Sequence, residues 1–203
     1  MKKKIKPLLD AITTYPCVSL PETPTPAAVL VLLISDDSEN LFVVLTKRPA
    51  SIATYAGDYC FPGGMRDEGE IDLKLTAIRE VEEELAIKAD TYQFIGQLDD
   101  FFDRFDNLVR PFVATMSKTD FENQLQISES EIEAVYYLPI EKLSEFNINH
   151  DLEQMTGRQP SYIYTDNDTL IWGLTASIIV HLGNVMFDLQ RPLAKHKLPS
   201  TGC

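Results

Sequence analysis

The pattern of apolar and polar positions changes its period several times along the chain, and each change marks an element. Ala27–Ile34 (AAVLVLLI) is an unbroken apolar run of strand length, so it predicts a strand buried on both faces. Asp36–Asn40 (DDSEN) is a polar turn, and Leu41–Thr46 (LFVVLT) predicts the second strand of a hairpin. Asp58–Cys60 predicts a short strand that runs into a Pro-Gly-Gly turn at Pro62–Gly64. From Leu73 to Leu85 the apolar residues Leu75, Ile78, Val81 and Leu85 recur three, three and four apart, the spacing of an amphipathic helix. Further strands are predicted at Gln93–Leu98, Val109–Met116 and Ala134–Leu138, with Pro139 opening a short helix. Residues 148–160 read as a mobile loop, and a last helix is predicted from about Trp172. Mixed strands and helices in this order predict an α/β sandwich, with a lead segment at 1–26, one domain at 27–190 and a tail at 191–203.

The stretch Leu170–Phe187 is apolar enough to raise the question of a membrane span. Thr175, Ser177, His181 and Asn184 interrupt it, so a buried terminal helix is the expectation and no membrane association follows. The basic opening of the chain resembles the start of a signal peptide, but Asp10, Thr13 and Thr14 break the apolar stretch such a peptide needs.

Composition is that of an ordinary soluble domain, 44% hydrophobic and 24% charged over 203 residues. The net charge is -13, and Lys2, Lys3, Lys4 and Lys6 stand at the very start, so the rest of the chain is more acidic still. Such a body is not built for nucleic acid, whose general affinity comes from neutralising phosphates; it takes a polyanion only if cations bridge the two. Cys17, Cys60 and Cys203 are odd in number and widely spaced, which argues against a disulfide framework or a zinc site and leaves a reducing cytoplasm as the expected compartment.

The feature that needs explaining is the acidic row at the end of the predicted helix. On a helix Glu80 lies beside both Glu83 and Glu84, so three carboxylates face one spot, while Glu82 points elsewhere and reads as structural. Like charges at these spacings cost about 0.2 to 0.5 kcal/mol per pair, and the last turns of a helix favour cations. A solvated acidic face is the bland alternative. The cluster becomes sensible if it holds a hard divalent cation such as Mg²⁺, with Glu80, Glu83 and Glu84 as oxygen ligands. Upstream, Gly63 and Gly64 allow close backbone approach and can present N–H groups to phosphates, and Glu70 can pair with Arg79 to fix the loop against the helix.

Together these residues resemble the Nudix hydrolase signature: Gly, five residues, Glu, seven residues, Arg-Glu, an aliphatic, any residue, Glu-Glu, any residue, Gly, an aliphatic. Gly64, Glu70, Arg79, Glu80, Val81, Glu83, Glu84 and Ile87 occupy its positions. Eight residues rather than seven separate Glu70 from Arg79, and Ala86 replaces the second Gly. The longer spacing, the leader Leu45–Gly64, Asp67, and the stretches Ser130–Ile140 and Ile171–Ile179 are similar to the coenzyme A pyrophosphatase branch, so the resemblance runs from about Ala27 to Leu182. That branch carries a second arginine five residues after the first, where this chain has Ala53.

The resemblance implies a Nudix-type α/β/α sandwich with a mixed central sheet and a Glu-rich catalytic helix. It implies hydrolysis of a small molecule with a diphosphate linkage, coenzyme A or acyl-CoA, with Mg²⁺ or Mn²⁺ on Glu80, Glu83 and Glu84; a homodimer is compatible with it. Glu80, Glu83 and Glu131 are open as the base that takes the proton from water. Lys47, Arg48, Arg104 and Arg110 are the candidate phosphate partners, each with the alternative of a solvated cation. Phe101, Phe102 and Phe105 read as core more readily than as a stacking face for adenine, and Trp172 reads as core. ADP-ribose, NADH and dinucleoside polyphosphates remain alternative substrates, and a nucleotide-sensing module without catalysis is the alternative from another class.

Overall fold

The computed structural model describes residues 5–51, 56–157 and 160–193. Its centre is a mixed sheet built on two long strands, β1 (Ala27–Ser35) and β7 (Leu108–Ser117), paired in parallel from Ala27↔Val109 to Ser35↔Ser117. β2 (Leu41–Lys47) returns antiparallel to β1, and β8 (Ala134–Pro139) and β3 (Tyr59–Cys60) add antiparallel to β2. β5 (Gln93–Gln97) and β6 (Phe101–Phe102) pair with β7, and β4 (Gly63–Met65) pairs with the start of β1.

The unbroken apolar run of β1 has the predicted consequence. Successive side chains point to opposite faces, so Val31 and Leu33 enter one core while Ala28, Leu30, Leu32 and Ile34 enter the other. The second core lies under α2 (Leu73–Leu85), with Phe121 of α3 (Lys118–Gln124). The first lies under α1 (Ile5–Thr13) and α5 (Gly173–Phe187). The result is the α/β/α sandwich with a mixed sheet expected from the sequence.

The structure corrects several expectations. The 148–160 stretch contains the end of β9 (Asn147–Ile148) and α4 (His150–Thr156), which Asn149 caps by accepting from Leu152 N at 2.9 Å. β9, β10 (Tyr162–Asp166) and β11 (Thr169–Trp172) form a separate small sheet. The Pro-Gly-Gly segment runs into strand β4. The buried face of α2 is Leu73, Ala77, Val81 and Leu85, with Leu75 46% exposed, because the four-residue spacing follows one helix face more closely. Leu8 and Ile12 of the lead segment are core residues. Among the described residues no helix is long and apolar enough to cross a membrane.

Candidate active site

The ends of α2 are fixed by the chain itself. Asp72 caps the first turn, its side chain accepting from Lys74 N at 2.9 Å. At the other end Ala86 takes the left-handed conformation, with φ of 59°, and its N–H donates to Glu82 O at 3.0 Å. The missing glycine is thus replaced by an alanine in the same backbone state, at a cost of roughly 1 to 2 kcal/mol. The last carbonyls find partners in the 126–128 segment: Gln126 N donates to Leu85 O at 3.0 Å and Ser128 N to Glu84 O at 2.9 Å. Glu131 follows in the turn whose N–H bonds return to Ser128 O, close enough for its charge to act on Glu80 and Glu84.

Arg79 is the hub of the acidic cluster. Its Nε donates to Glu70 Oε1 at 3.0 Å, its Nη1 to Glu80 Oε1 and Glu83 Oε2, each at 2.8 Å, and its Nη2 to Met65 O at 2.9 Å. Glu70 is itself held by Thr76 Oγ1 at 2.6 Å and Asp67 N at 3.0 Å. Burial alone would raise the Glu70 pKa, but these hydrogen bonds and Arg79 bring it below its ordinary value. Glu80 is pushed up by burial against the pull of Arg79, with Glu83 and Glu131 adding to the rise.

Glu84 is the outlier. It is only 3% exposed, and its Oε2 has no hydrogen-bond partner. Burial, followed by the charges of Glu80 and Glu131, raises its pKa to about 8, with Arg48 and the Gly63 N–H pulling the other way. A buried carboxylate oxygen without a donor is expensive, and a cation is the ligand that would relieve it. The donors of Glu80, Glu83 and Glu84 are all carboxylate oxygens, which suits a hard divalent ion. Among the described residues no three such groups are gathered as a coordination shell, and Arg79 holds both Glu80 and Glu83.

Two glycines set the other wall. A side chain at Gly63, whose φ is 151°, would strike the backbone of Ala28 and Val29, and one at Gly64 would strike the Glu80 carboxylate. Gly63 therefore lets β4 close on β1, and Gly64 leaves room for the carboxylate. Because the Glu80 side chain can swing away, Gly64→Ala is expected to fold, with divalent-cation affinity down on the order of tenfold in a calorimetric titration.

The four predicted phosphate cations fare differently. Arg48, at the end of β2, lies near Glu84 and Cys60, and its Nε is buried without a partner. Lys47 is paired with Glu133 at 2.7 Å. Arg104 is exposed, its guanidinium 4.7 Å from the Phe105 ring centroid. Arg110 grips buried Asp100 through Nε and Nη2, at 2.9 and 2.8 Å, and reaches Leu20 O and Glu22, so it ties the lead segment to β7. Phe101 is buried, Phe102 half-buried and Phe105 exposed.

Sequence reasoning missed two features. Thr46 and Cys60 are bonded to each other beside Arg48, with Thr46 Oγ1 donating to Cys60 O at 3.2 Å. Trp172 is half-buried rather than core, and its Nε1 donates to Asp58 Oδ1 at 3.0 Å. No periodicity signals a contact between positions so far apart in the chain. Ala53 lies outside the described residues.

Residues 24–158 match the NUDIX domain family, and the chain belongs to it. Nudix hydrolase 15, mitochondrial, of Arabidopsis thaliana is 30% identical over 171 residues, 81% of this chain and 60% of the plant protein. The peroxisomal coenzyme A diphosphatase ndx-8 of Caenorhabditis elegans is 36% identical over 59% of this chain and 50% of its own. An uncharacterized Nudix hydrolase NudL of Photorhabdus laumondii is 32% identical over 77% of this chain and 82% of its own. The chain thus spans about three fifths of the plant relative and half of the worm one. Among solved structures, a MutT/nudix family protein from Enterococcus faecalis superposes with a TM-score of 0.50 at 17% identity, over 83% of this chain and 65% of that one, a likeness of fold.

Proposed function

We propose that this protein is a divalent-metal-dependent Nudix hydrolase that cleaves the diphosphate of coenzyme A or acyl-CoA, giving adenosine 3',5'-bisphosphate and phosphopantetheine or its acyl derivative, in a reducing cytoplasm. The observation that carries the reading is a pair of orphaned buried atoms, Glu84 Oε2 and Arg48 Nε, on side chains close enough for the charge of Arg48 to act on Glu84. One is matched by a cation, the other by an anion, and a metal diphosphate supplies both.

Glu80, Glu83 and Glu84 would hold Mg²⁺ or Mn²⁺, which when bound neutralises the diphosphate and acidifies a water. Arg48 supplies a phosphate contact from the opposite wall. Glu70, bonded to Thr76, Asp67 and Arg79, keeps the approach loop against α2. Glu80, Glu83 and Glu131 are the candidates to take the proton of the attacking water; Glu80 and Glu131 are favoured because the charge of each acts on Glu84.

The coenzyme A assignment rests on the inserted residue between Glu70 and Arg79 and on the worm relative, and Ala53 favours a broader diphosphate specificity as the second reading. Incubation with coenzyme A, acyl-CoA, ADP-ribose, NADH and a dinucleoside polyphosphate in Mg²⁺, with chromatography of the products, tests it. Adenosine 3',5'-bisphosphate as the dominant product is expected. Preferential release of AMP from ADP-ribose or NADH would replace coenzyme A as the substrate, and binding without turnover would favour a sensing module.

A further inference from the structure

The small sheet formed by β9, β10 and β11 leads into α5, and β10, β11 and α5 lie beyond the residues that match the Nudix family. At its junction with α5 the indole N–H of Trp172 donates to Asp58 Oδ1 at 3.0 Å. Asp58 is the far end of a closed backbone pair: Arg48 N donates to Asp58 O at 3.0 Å, and Gly57 N donates to Arg48 O at 3.1 Å. The same hairpin base is anchored on its next residue, where Tyr59 meets Tyr136 of β8 edge to face at 5.4 Å. The β10–β11 turn also reaches this edge, since the charge of Asp168 acts on Lys47. The Arg48 side chain bonds Cys60 and its charge acts on Glu84, while its Nε is buried without a partner.

We infer that Trp172 is a positioning residue for substrate binding: through Asp58 it fixes the base of the β2–β3 hairpin and so holds Arg48 aimed at the diphosphate. The inference rests on the reading of Arg48 as a diphosphate contact. A long side chain such as Arg48 has many rotamers, and an anion gains most from it when the backbone beneath is already fixed. Trp172 bonds Asp58 rather than Glu80, Glu83 or Glu84, so its effect belongs in substrate affinity rather than in the chemical step. The indole N–H, rather than the bulk of the ring, is the element that matters, because it links the two segments through a hydrogen bond.

Steady-state kinetics with coenzyme A and Mg²⁺ on wild type, Trp172→Phe, Arg48→Ala and the double variant test this, with thermal melts alongside. Trp172→Phe is expected to raise KM about tenfold and leave kcat within about twofold. In the Arg48→Ala background the same change is expected to do nothing further, because its target is gone. Asp58→Asn keeps an acceptor for the indole and should retain the wild-type KM, while Asp58→Ala should match Trp172→Phe. An equal rise in KM on both backgrounds, or no rise in either, overturns the inference, as does a loss confined to kcat. If wild type leaves coenzyme A intact, the substrate reading falls alone; the four proteins are then compared by calorimetric binding of inorganic pyrophosphate with Mn²⁺, where coupling between Trp172 and Arg48 supports the inference and additivity overturns it.

Discussion

Replacing Glu84 with Gln is expected to abolish diphosphate hydrolysis, by at least about a thousandfold in kcat, and at the same time to stabilise the protein in chelator. The two effects have one cause. Glu84 is buried with an orphaned Oε2 beside Glu80 and Glu131, so its negative form is costly until a cation arrives. Its pKa in the folded state is about 8, above the ordinary carboxylate value of 4.5. Below about pH 4.5 it is neutral both folded and unfolded, and the full stability is present. As pH rises toward 8 the unfolded chain releases this proton while the folded one retains it, so stability is lost across that window. Glu84→Gln removes the loss. Its advantage in denaturant melts should be negligible at pH 4.5 and grow to a few kcal/mol, on the order of the shift itself, by pH 8.5. A gain that shrinks as pH rises would contradict the burial account.

Arg110→Met is the second large effect, and it falls on stability. Arg110 makes two charge-assisted hydrogen bonds to Asp100, whose side chain has no exposure to solvent, and it also contacts Leu20 O and Glu22. Removing the guanidinium leaves a buried carboxylate that still accepts from Leu20 N at 2.7 Å. Breaking one side of a buried pair typically costs about 3 to 5 kcal/mol. The folded fraction at low temperature should retain the wild-type KM, whereas Arg48→Ala should raise KM with little change in melting temperature. The reverse pattern would make Arg110 the phosphate contact and Arg48 the structural one.

How far the sequence announces this arrangement depends on whether the signal is local. The strands β1 and β2 and the helix α2 follow from periodicity, because side-chain direction is set within a few residues, whereas the grip of Arg79 on Glu80 and Glu83 and the burial of Glu84 do not. The lead helix α1 was legible in principle, since Leu8 and Ile12 stand four apart, but its short apolar stripe is outweighed by polar neighbours. The small sheet was not legible: β9, β10 and β11 have two to five residues each, below the length at which alternation is distinct. The fate of the basic residues was hidden as well. Arg48 and Arg110 both follow or sit in apolar strands, and only long-range partners, Asp100 in one case and Glu84 in the other, separate them. Trp172 illustrates the same limit, as its indole meets an aspartate 114 positions away.

The most direct measurement is the binding of Mn²⁺ followed by its electron paramagnetic resonance signal, in wild type, Glu84→Gln and Glu83→Gln, at pH 8. Loss of the free-ion signal on adding wild-type protein, strongly reduced in both variants, is the result expected if the carboxylates at the end of α2 grip a divalent cation. Equal binding by all three proteins, or none by wild type, would contradict it.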